Sequence, residues 1–263
     1  MFYLGVSTVC ISYAPLSRLG NLVSSLPVNR WEFVDDGLHF LCKENLRYVK
    51  DLAASSDLML SLHAPYTSVN IAATNPIVRR FSMNMYRDVV EHARVLNCRY
   101  IVFHPGILDA FTHLFKSLAE PIHDSIRFLV ELGDLCDAYG IVPLIENMAT
   151  NRSTIMSVED FKSLFDLSKS FMMALDIPHG ILTGNFDSYV RSLKDRIRYL
   201  HISSNDGHSD LHWPLNRGEL NWVGALERLL KAGVSGPLII ENLSPEDSRM
   251  SLNLLEKFFS VHK

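Results

Sequence analysis

The sequence predicts an α/β protein with a single (β/α)8 barrel, also called a TIM barrel, over residues 1–263. Short apolar runs of strand type alternate with longer helical stretches along the chain, and this alternation is typical of a parallel sheet. The length of 263 residues also fits one such barrel, which usually has about 250 residues. The sequence contains no linker, no low-complexity tract and no sign of a second domain.

Eight strands are predicted from apolar runs, and six of them end in a side chain that can bind a metal ion. In chain order the predicted strands are 2–6, 31–34, a run ending at His63, a run ending at His104, 141–146, and runs ending at Asp176, His201 and Glu241. The fifth of these strands ends at Glu146. In a barrel of this kind the active site forms at the carboxyl ends of the strands. We therefore expect the six side chains to face one cavity.

Helices are predicted between most of these strands. The predicted ranges are 43–54, 76–96, 121–139, a helix that begins after Ser157, 221–231 and 245–259. Pro76 and Pro245 fit first-turn positions, and Ser157 with Asp160 supplies a side-chain cap and an acidic first turn. Between the first two strands the helical pattern is weak, and a long loop is expected before Pro121.

The composition limits the classes of protein to which the chain can belong. With 48% hydrophobic and 21% charged residues it can bury a large core, and disorder is excluded. A net charge of −4 without a Lys/Arg run gives little support to nucleic-acid binding. Four widely spaced cysteines without a C-x-x-C pair indicate reduced thiols and a cytoplasmic protein. The sequence has neither a long apolar run nor a basic leader, so no membrane partner is expected.

The strand-end residues, together with Asp210 and His212, predict a divalent-metal centre. A single histidine or acid at a strand end is more often an ion-paired or loop-capping residue. Several carboxylates that share one buried cavity would repel one another, however, and cations are the natural compensation. Asp210 and His212 are two residues apart and would project to one side of an extended backbone. Histidines and carboxylates without thiolates suit Zn, Mn or Fe.

These residues resemble the motifs of the xylose isomerase-like TIM-barrel superfamily. The similar motifs are His63-Ala-Pro-Tyr, His104-Pro-Gly, Glu146-Asn, Asp176-x-x-His179, Asp210-x-His212 and Glu241-Asn. The superfamily contains sugar isomerases and epimerases as well as the endonuclease IV group of apurinic-site nucleases, AP endonuclease family 2. The nuclease branch binds three zinc ions, and the resemblance implies the ligands His63, His104, Glu146, Asp176, His179, His201, Asp210, His212 and Glu241. The epimerase branch binds one ion through a subset, which here is Glu146, Asp176, His201 and Glu241.

Other positions separate the two branches. Asp35 and Asp36 follow the second strand, where the nucleases have a basic, polar loop that grips DNA. Two aspartates at that place would repel a phosphate backbone. Tyr66 and Asn70 resemble a substrate-side loop present in both branches, and Arg217 is a candidate for binding a substrate phosphate.

The resemblance therefore favours a metal-dependent sugar or sugar-phosphate isomerase or epimerase. In that reaction the metal polarises a carbonyl and a hydroxyl while two carboxylates move protons at the adjacent carbon. Glu146 and Glu241 resemble these catalytic residues. The expected cofactor is Zn or Mn, with one to three ions bound, and the expected partner is a small sugar or sugar phosphate. The alternative is an endonuclease IV-like trinuclear-zinc phosphodiesterase that acts on DNA. The identity of the sugar, the metal count and the oligomeric state stay open.

Overall fold

The computed structural model describes residues 1–109 and 119–261. Eight parallel strands form a closed barrel in chain order, which confirms the predicted fold. They are β1 (Phe2–Ser7), β2 (Arg30–Val34), β3 (Met59–His63), β4 (Tyr100–Phe103), β5 (Val142–Glu146), β6 (Met172–Asp176), β7 (Ile197–Ile202) and β8 (Gly236–Ile240). β8 pairs with β1, so no strand edge is left open.

The strand ends agree with the prediction to within one residue. β3, β5 and β6 end at His63, Glu146 and Asp176, as predicted. β4 and β8 end one residue earlier than predicted, so that His104 and Glu241 are the first residues of the loops that follow. β7 continues one residue beyond the predicted end. The predicted ligands therefore lie at the same end of the barrel, where the βα loops begin.

Helices surround the barrel. Those in the described residues are α1 (Leu19–Ser25), α2 (Lys43–Ser55), α3 (Pro76–Val95), α4 (Ala119–Ala138), α5 (Val158–Leu167), α6 (Ile177–Leu182), α7 (Phe186–Leu193), α8 (Trp222–Lys231) and α9 (Pro245–Val261). The weak pattern between the first two strands corresponds to the short helix α1, which follows two turns of 3-10 helix. No helix is predicted from the sequence at the positions of α6 and α7. The long loop predicted before Pro121 falls largely on residues 110–118, outside the described residues.

Side-chain caps explain where two helices begin. The hydroxyl of Ser157 accepts a hydrogen bond from the main chain of Asp160 at 3.1 Å, and the Asp160 carboxylate accepts one from the main chain of Ser157 at 2.8 Å. This capping box confirms the predicted start of α5. The side chain of Asn75 caps α3 by accepting from the main-chain N–H of Ile77 at 2.9 Å. No helix in the described part of the chain has the length and apolarity that a membrane span requires.

An apolar layer fills the barrel interior beneath the loops. Its buried members come from successive strands and are Val102, Leu144, Ala174, Tyr199 and Ile239. A second and larger apolar cluster lies between the strands and the surrounding helices. The interior layer closes the barrel below the strand ends, as is usual for this architecture.

Candidate metal centre

Strand alternation places five of the predicted ligands inside the barrel. Side chains two residues apart on a strand point to the same side of the sheet. Each of these five ligands lies two positions after a member of the interior apolar layer; they are His104, Glu146, Asp176, His201 and Glu241. All except His104 are at most 6% exposed. The apolar strand periodicity therefore continues into a buried polar cluster.

Glu146 lies within this cluster and contacts histidines from four different segments. Its Oε2 atom lies 3.3 Å from Nε2 of His63 and 3.1 Å from Nε2 of His104. Its Oε1 atom lies 3.1 Å from Nδ1 of His201 and 3.6 Å from Nδ1 of His179. One carboxylate thus connects the carboxyl ends of β3 and β4 with His179 of α6 and His201 of β7.

Main-chain carbonyls orient three of the histidines. The Nδ1 atoms of His63, His179 and His212 each lie 2.8 Å from a carbonyl oxygen. Because a carbonyl can only accept, each Nδ1 must carry the proton and donate it. The Nε2 atoms are then left to face the cavity. Metal-binding histidines commonly use their second ring nitrogen in this way.

His201 has the opposite orientation. Its Nδ1 atom faces Glu146 and Glu241, at 3.1 and 3.4 Å, whereas its Nε2 atom lies 2.9 Å from Oε2 of Glu32. Glu32 is on β2 and is fully buried, and it is not among the residues predicted for the site. A signal was present, because a carboxylate between two aromatic residues in an apolar strand is unusual.

The loop after β7 brings two further predicted ligands to the mouth of the barrel. Oδ2 of Asp210 lies 2.9 Å from Nε2 of His179 and 3.2 Å from Nε2 of His212. The side chains of Asp210 and His212 do lie together, but the expectation of extended backbone is wrong, because His212 has a φ of +49°. A bridge between Ser204 and Trp213 closes the loop.

The asparagines of the two Glu-Asn motifs hold the ligand loops in place. The Asn147 amide donates to the Asp176 carbonyl at 2.9 Å and accepts from the Asp176 N–H at 2.8 Å, which ties β5 to the end of β6. Asn242 donates to the carbonyl of His212 at 3.0 Å. The carboxylate of Asp176 also accepts from the main-chain N–H of His179 at 2.6 Å. This bond caps α6 and directs His179 back towards the cavity.

The nine predicted ligands form three groups, each of which could hold an ion. Within every group one ligand atom per residue lies within 4.8 Å of the others. The inner group is Glu146, Asp176, His201 and Glu241, and the two outer groups are His63, His104 and Glu146, and His179, Asp210 and His212. A set of imidazole and carboxylate donors without thiolates fits Zn or Mn.

Burial makes the protonation of the carboxylates uneven. Burial, together with the neighbouring charges of Glu32 and Glu146, raises the pKa of Glu241 to about 8, against the opposing effect of His201. Burial also raises the pKa of Asp176 to about 6. It opposes ionisation of Glu146 as well, but there His201 and His104 outweigh it and hold the pKa well below the ordinary value.

The histidines respond in the opposite direction. Burial alone would lower their pKa values, but the surrounding carboxylates outweigh it and raise the pKa of His63 to about 9, that of His179 to about 10 and that of His212 to about 9. Protons thus balance the negative charge of the cluster. A bound divalent cation would take over that role and release them. The residues therefore fit a metal in charge as well as in donor type.

A cavity of about 280 Å³ opens above the cluster. This is near the lower end for small-molecule sites, which are roughly 300–1,000 Å³. Glu146 and Glu241 line it, together with four of the histidines, and Val9, Val34, Tyr66 and Met148 supply an apolar and aromatic wall. None of the described lining residues is a lysine or an arginine.

The xylose isomerase-like TIM barrel family matches residues 24–258. The chain belongs to this family. Among solved structures, that of a D-tagatose 3-epimerase-like protein superposes with a TM-score of 0.89 at 26% sequence identity, and the match covers 99% of this chain and 98% of that one.

Members of both branches of the xylose isomerase-like family occur among the relatives. An uncharacterised protein of Methanocaldococcus jannaschii is 27% identical over 265 residues, or 98% of this chain and 89% of the relative. Fructoselysine 3-epimerase of Shigella flexneri is 21% identical over 202 residues, or 74% of this chain and 72% of the enzyme. A probable endonuclease 4 of Thermoplasma volcanium is 24% identical over 202 residues, or 72% and 67% of the two chains.

In this member of the xylose isomerase-like family only one of the three predicted substrate-binding residues reaches the cavity. Tyr66 lines it. Asn70 instead holds a loop, donating to the carbonyl of Ile107 at 2.8 Å. The guanidinium carbon of Arg217 lies 3.8 Å from the centre of the Trp213 ring, and Arg217 is exposed. Neither Asn70 nor Arg217 lines the cavity, and substrate binding by these two residues stays a prediction.

The two aspartates after β2 both make contacts within the protein. Asp35 is fully buried, accepts from the main-chain N–H of Leu41, and lies 2.7 Å from Nδ1 of His92. Asp36 accepts hydrogen bonds from two main-chain N–H groups of the loop after β3. Asp35 is too deeply buried to meet a DNA partner directly, whereas repulsion of a phosphate backbone by Asp36 stays a prediction, since hydrogen bonds from neutral N–H groups do not remove its charge.

Proposed function

We propose that this chain is a divalent-metal-dependent sugar epimerase or isomerase whose active site is the cavity at the carboxyl ends of the strands. The inner ligand group carries this proposal, because it gathers four buried donors whose ligand atoms lie within 4.8 Å of one another. The similarity to a D-tagatose 3-epimerase-like protein over nearly the whole chain supports epimerase chemistry, as does the relationship to fructoselysine 3-epimerase.

The inner group has members of two kinds. Asp176 and His201 lie below the cavity and have fixed partners, the main-chain N–H of His179 and the carboxylate of Glu32. Glu146 and Glu241 line the cavity itself. A Zn or Mn ion held by the four would polarise the oxygens of a bound sugar. Only the two glutamates are then within reach of a substrate carbon.

We assign proton transfer to Glu146 and Glu241. Their carboxylates approach one atom, Nδ1 of His201, from β5 and β8 at 3.1 and 3.4 Å. A carbon next to a carbonyl can lose its proton to a carboxylate base. If one glutamate removes that proton and the other returns a proton to the opposite face, the configuration of the carbon inverts. Two carboxylates on different strands suit this exchange.

The cavity favours a neutral sugar over a sugar phosphate. A buried phosphate needs guanidinium, ammonium or main-chain N–H partners, and no lysine or arginine is present in the described lining. A volume of about 280 Å³ suits a small ligand. We propose free ketoses as the substrate class.

Incubation of the metal-loaded protein with free ketoses and their phosphates in D2O tests this proposal. The expected product is an epimerised free sugar with one deuterium at the carbon beside the carbonyl. Glu219→Gln is a matched control. Glu219 is an exposed carboxylate on the loop after β7, and it is not part of the lining of this cavity. Absence of product and of deuterium from every sugar, with Zn or Mn added, would overturn the proposal.

A nuclease is the second candidate, because both outer ligand groups are assembled as well. An epimerase with one ion needs only the inner group, whereas clustered ions can act together on a phosphodiester. The relationship to a probable endonuclease 4 agrees with this alternative. A duplex with one abasic site is the test substrate, at nanomolar protein and moderate salt. Strand cleavage without epimerisation of any sugar would favour the nuclease.

A further inference from the structure

Glu32 is a buried carboxylate that the proposed reaction does not use. It lies inside the barrel on β2 with no exposed surface. It belongs to none of the three ligand groups in the described residues and does not line the cavity. Its contact with the centre is indirect, through the 2.9 Å contact between its Oε2 atom and Nε2 of His201. The hydrogen bond of Glu32 therefore reaches the site through that ring.

The orientation of His201 depends on this contact. His63, His179 and His212 each donate Nδ1–H to a main-chain carbonyl and turn Nε2 to the cavity. His201 instead turns Nδ1 to Glu146 and Glu241. Its Nε2–H points down into the barrel, where main-chain carbonyls are used by the parallel ladder. A side-chain acceptor is needed there, and Glu32 provides one.

The stability of the barrel gives no reason to place a carboxylate at this position. A buried carboxylate is costly unless all its oxygens are satisfied, and Oε1 of Glu32 has no hydrogen-bond partner among the described residues. It also adds negative charge beside Glu146 and Glu241. An apolar residue of similar size would continue the layer formed by Val102 and Leu144. The carboxylate is therefore better explained by what it does to His201.

We propose that Glu32 is a positioning residue, which fixes the Nε2–H form of His201 and thereby presents Nδ1 to the inner ligand group. This inference rests on the proposed metal centre. A carboxylate that accepts the second N–H of a histidine ligand also makes the ligating nitrogen more basic. Loss of such a partner commonly lowers metal affinity by about 10–100-fold.

Two substitutions separate the hydrogen bond from the charge. Glu32→Gln keeps the volume and an acceptor oxygen but removes the charge, whereas Glu32→Leu removes the acceptor as well. Asp35→Asn is the matched control, because Asp35 is another buried carboxylate at the end of β2, paired with His92 outside the centre. All three proteins are compared with the wild type in two measurements. These are Zn affinity by competition with a chelator and the melting temperature of chelator-treated protein.

We expect Zn affinity to fall by about 10-fold in Glu32→Gln and by about 100-fold in Glu32→Leu. The melting temperature of chelator-treated Glu32→Gln should stay close to that of the wild type, since the substitution keeps packing and the acceptor. Asp35→Asn should show the reverse, with a lower melting temperature and unchanged Zn affinity. A purely structural role for Glu32 would instead make the loss of affinity follow the loss of stability.

The tautomer of His201 provides an independent readout. In Zn-loaded protein with 15N-labelled histidine, His201 should carry its proton on Nε2, whereas His63, His179 and His212 should carry it on Nδ1. Glu32→Leu should weaken or abolish the His201 Nε2–H signal. If the wild type binds Zn, and both Glu32 variants show the same Zn affinity and the same His201 tautomer as the wild type, this inference alone is overturned. A wild-type protein that binds no ion would overturn the proposed metal centre together with it.

Discussion

Oε1 of Glu146 lies 3.1 Å from Nδ1 of His201, and this contact reaches across the barrel interior from β5 to β7. The other oxygen of Glu146 lies 3.3 Å from Nε2 of His63. Glu146 is therefore shared by the inner ligand group and one outer group. Metal occupancy of these two groups should therefore be coupled through the Glu146 carboxylate. The other outer group, which contains His212, does not include Glu146 and should fill independently.

This arrangement predicts that the outer group of His212 can be lost without loss of the inner ion. His212→Asn should leave at least one equivalent of Zn or Mn per chain and should retain epimerisation, because the four inner donors are unchanged. Glu146→Gln should lose most of the bound metal, because it weakens two groups at once. Elemental analysis of protein prepared without chelator measures both. Complete loss of metal in His212→Asn would contradict the independence of the two groups.

The positions of the strand-end side chains could be predicted from the sequence because two simple regularities determine them. Apolar runs identify the strands, and closure of a parallel barrel brings every carboxyl end to one face. His63, Glu146 and Asp176 end their strands as predicted. For these residues the position along the chain determines the position in space. The prediction needed no knowledge of side-chain packing.

Residues whose roles depend on tertiary partners could not be predicted in the same way. Glu32 looks like one acid in a short strand until the fold brings it to His201, which is 169 residues away in sequence. Asp35 and Asp36 look exposed until their distant partners, His92 and the loop after β3, are known. His212 contacts Asp210 by adopting a positive φ, whereas the predicted extended backbone would have a negative φ. In each case the partner lies far away along the chain or the backbone is irregular.

Gly218 is predicted to be essential for the backbone path of the loop after β7, which carries Asp210 and His212. It has a φ of +91°, and a Cβ atom there would overlap the carbonyl of Asn205. Gly218→Ala should therefore lower the free energy of unfolding by about 1–3 kcal/mol and weaken metal binding through Asp210 and His212. Urea denaturation and chelator competition measure the two effects.

Gly140→Ala is the matched control for Gly218. Gly140 also has a positive φ, +68°, but a Cβ there would meet open space. Its substitution should introduce only the strain of a left-handed backbone, about 1 kcal/mol, and should leave metal affinity unchanged. Equal effects of the two alanines on stability and on metal affinity would contradict the role assigned to Gly218.

His39 is predicted to make stability depend on pH below neutrality. Its ring is fully buried, and Nε2 donates to the carbonyl of Ala14 at 2.9 Å. Burial lowers the pKa of His39, with the bond to Ala14 opposing the shift. The neutral form is favoured in the folded state, so its contribution is complete above the unfolded pKa of about 6.5. That contribution is lost as the pH falls from there through the lower folded pKa.

A comparison with His39→Gln isolates this contribution, because the glutamine amide can still donate to Ala14 and does not titrate. Urea denaturation at pH 7.5 and at pH 5.5, on chelator-treated protein, gives the free energy of unfolding of both proteins. The wild type should lose more stability between these pH values than the variant. An identical loss in both would show that His39 is not protonated preferentially in the unfolded state.

Glu241 is predicted to be needed for proton transfer more than for folding. Its carboxylate lines the cavity and lies 3.4 Å from Nδ1 of His201. Glu241→Gln keeps the size of the side chain but removes its charge and basicity. An amide cannot act as a general base, so epimerisation and deuterium exchange from D2O should fall by about 10²–10⁴. Metal affinity should fall as well, since one anionic donor is lost.

The fold should survive this substitution. Glu241 orients His212 through its main chain and not through its side chain. Its carbonyl accepts a hydrogen bond from Nδ1 of His212 at 2.8 Å. Replacing the carboxylate by an amide also relieves repulsion from Glu32 and Glu146, which with burial raises the pKa of Glu241 to about 8. If Glu241 served only to stabilise the strand end, Glu241→Gln would keep its metal and its turnover and would lose melting temperature. Metal content, melting temperature and deuterium exchange, compared with wild type and with Glu219→Gln, separate the two roles. Undiminished deuterium exchange in metal-loaded Glu241→Gln would rule out Glu241 as an acid–base residue, because a glutamine amide cannot take the proton from the substrate.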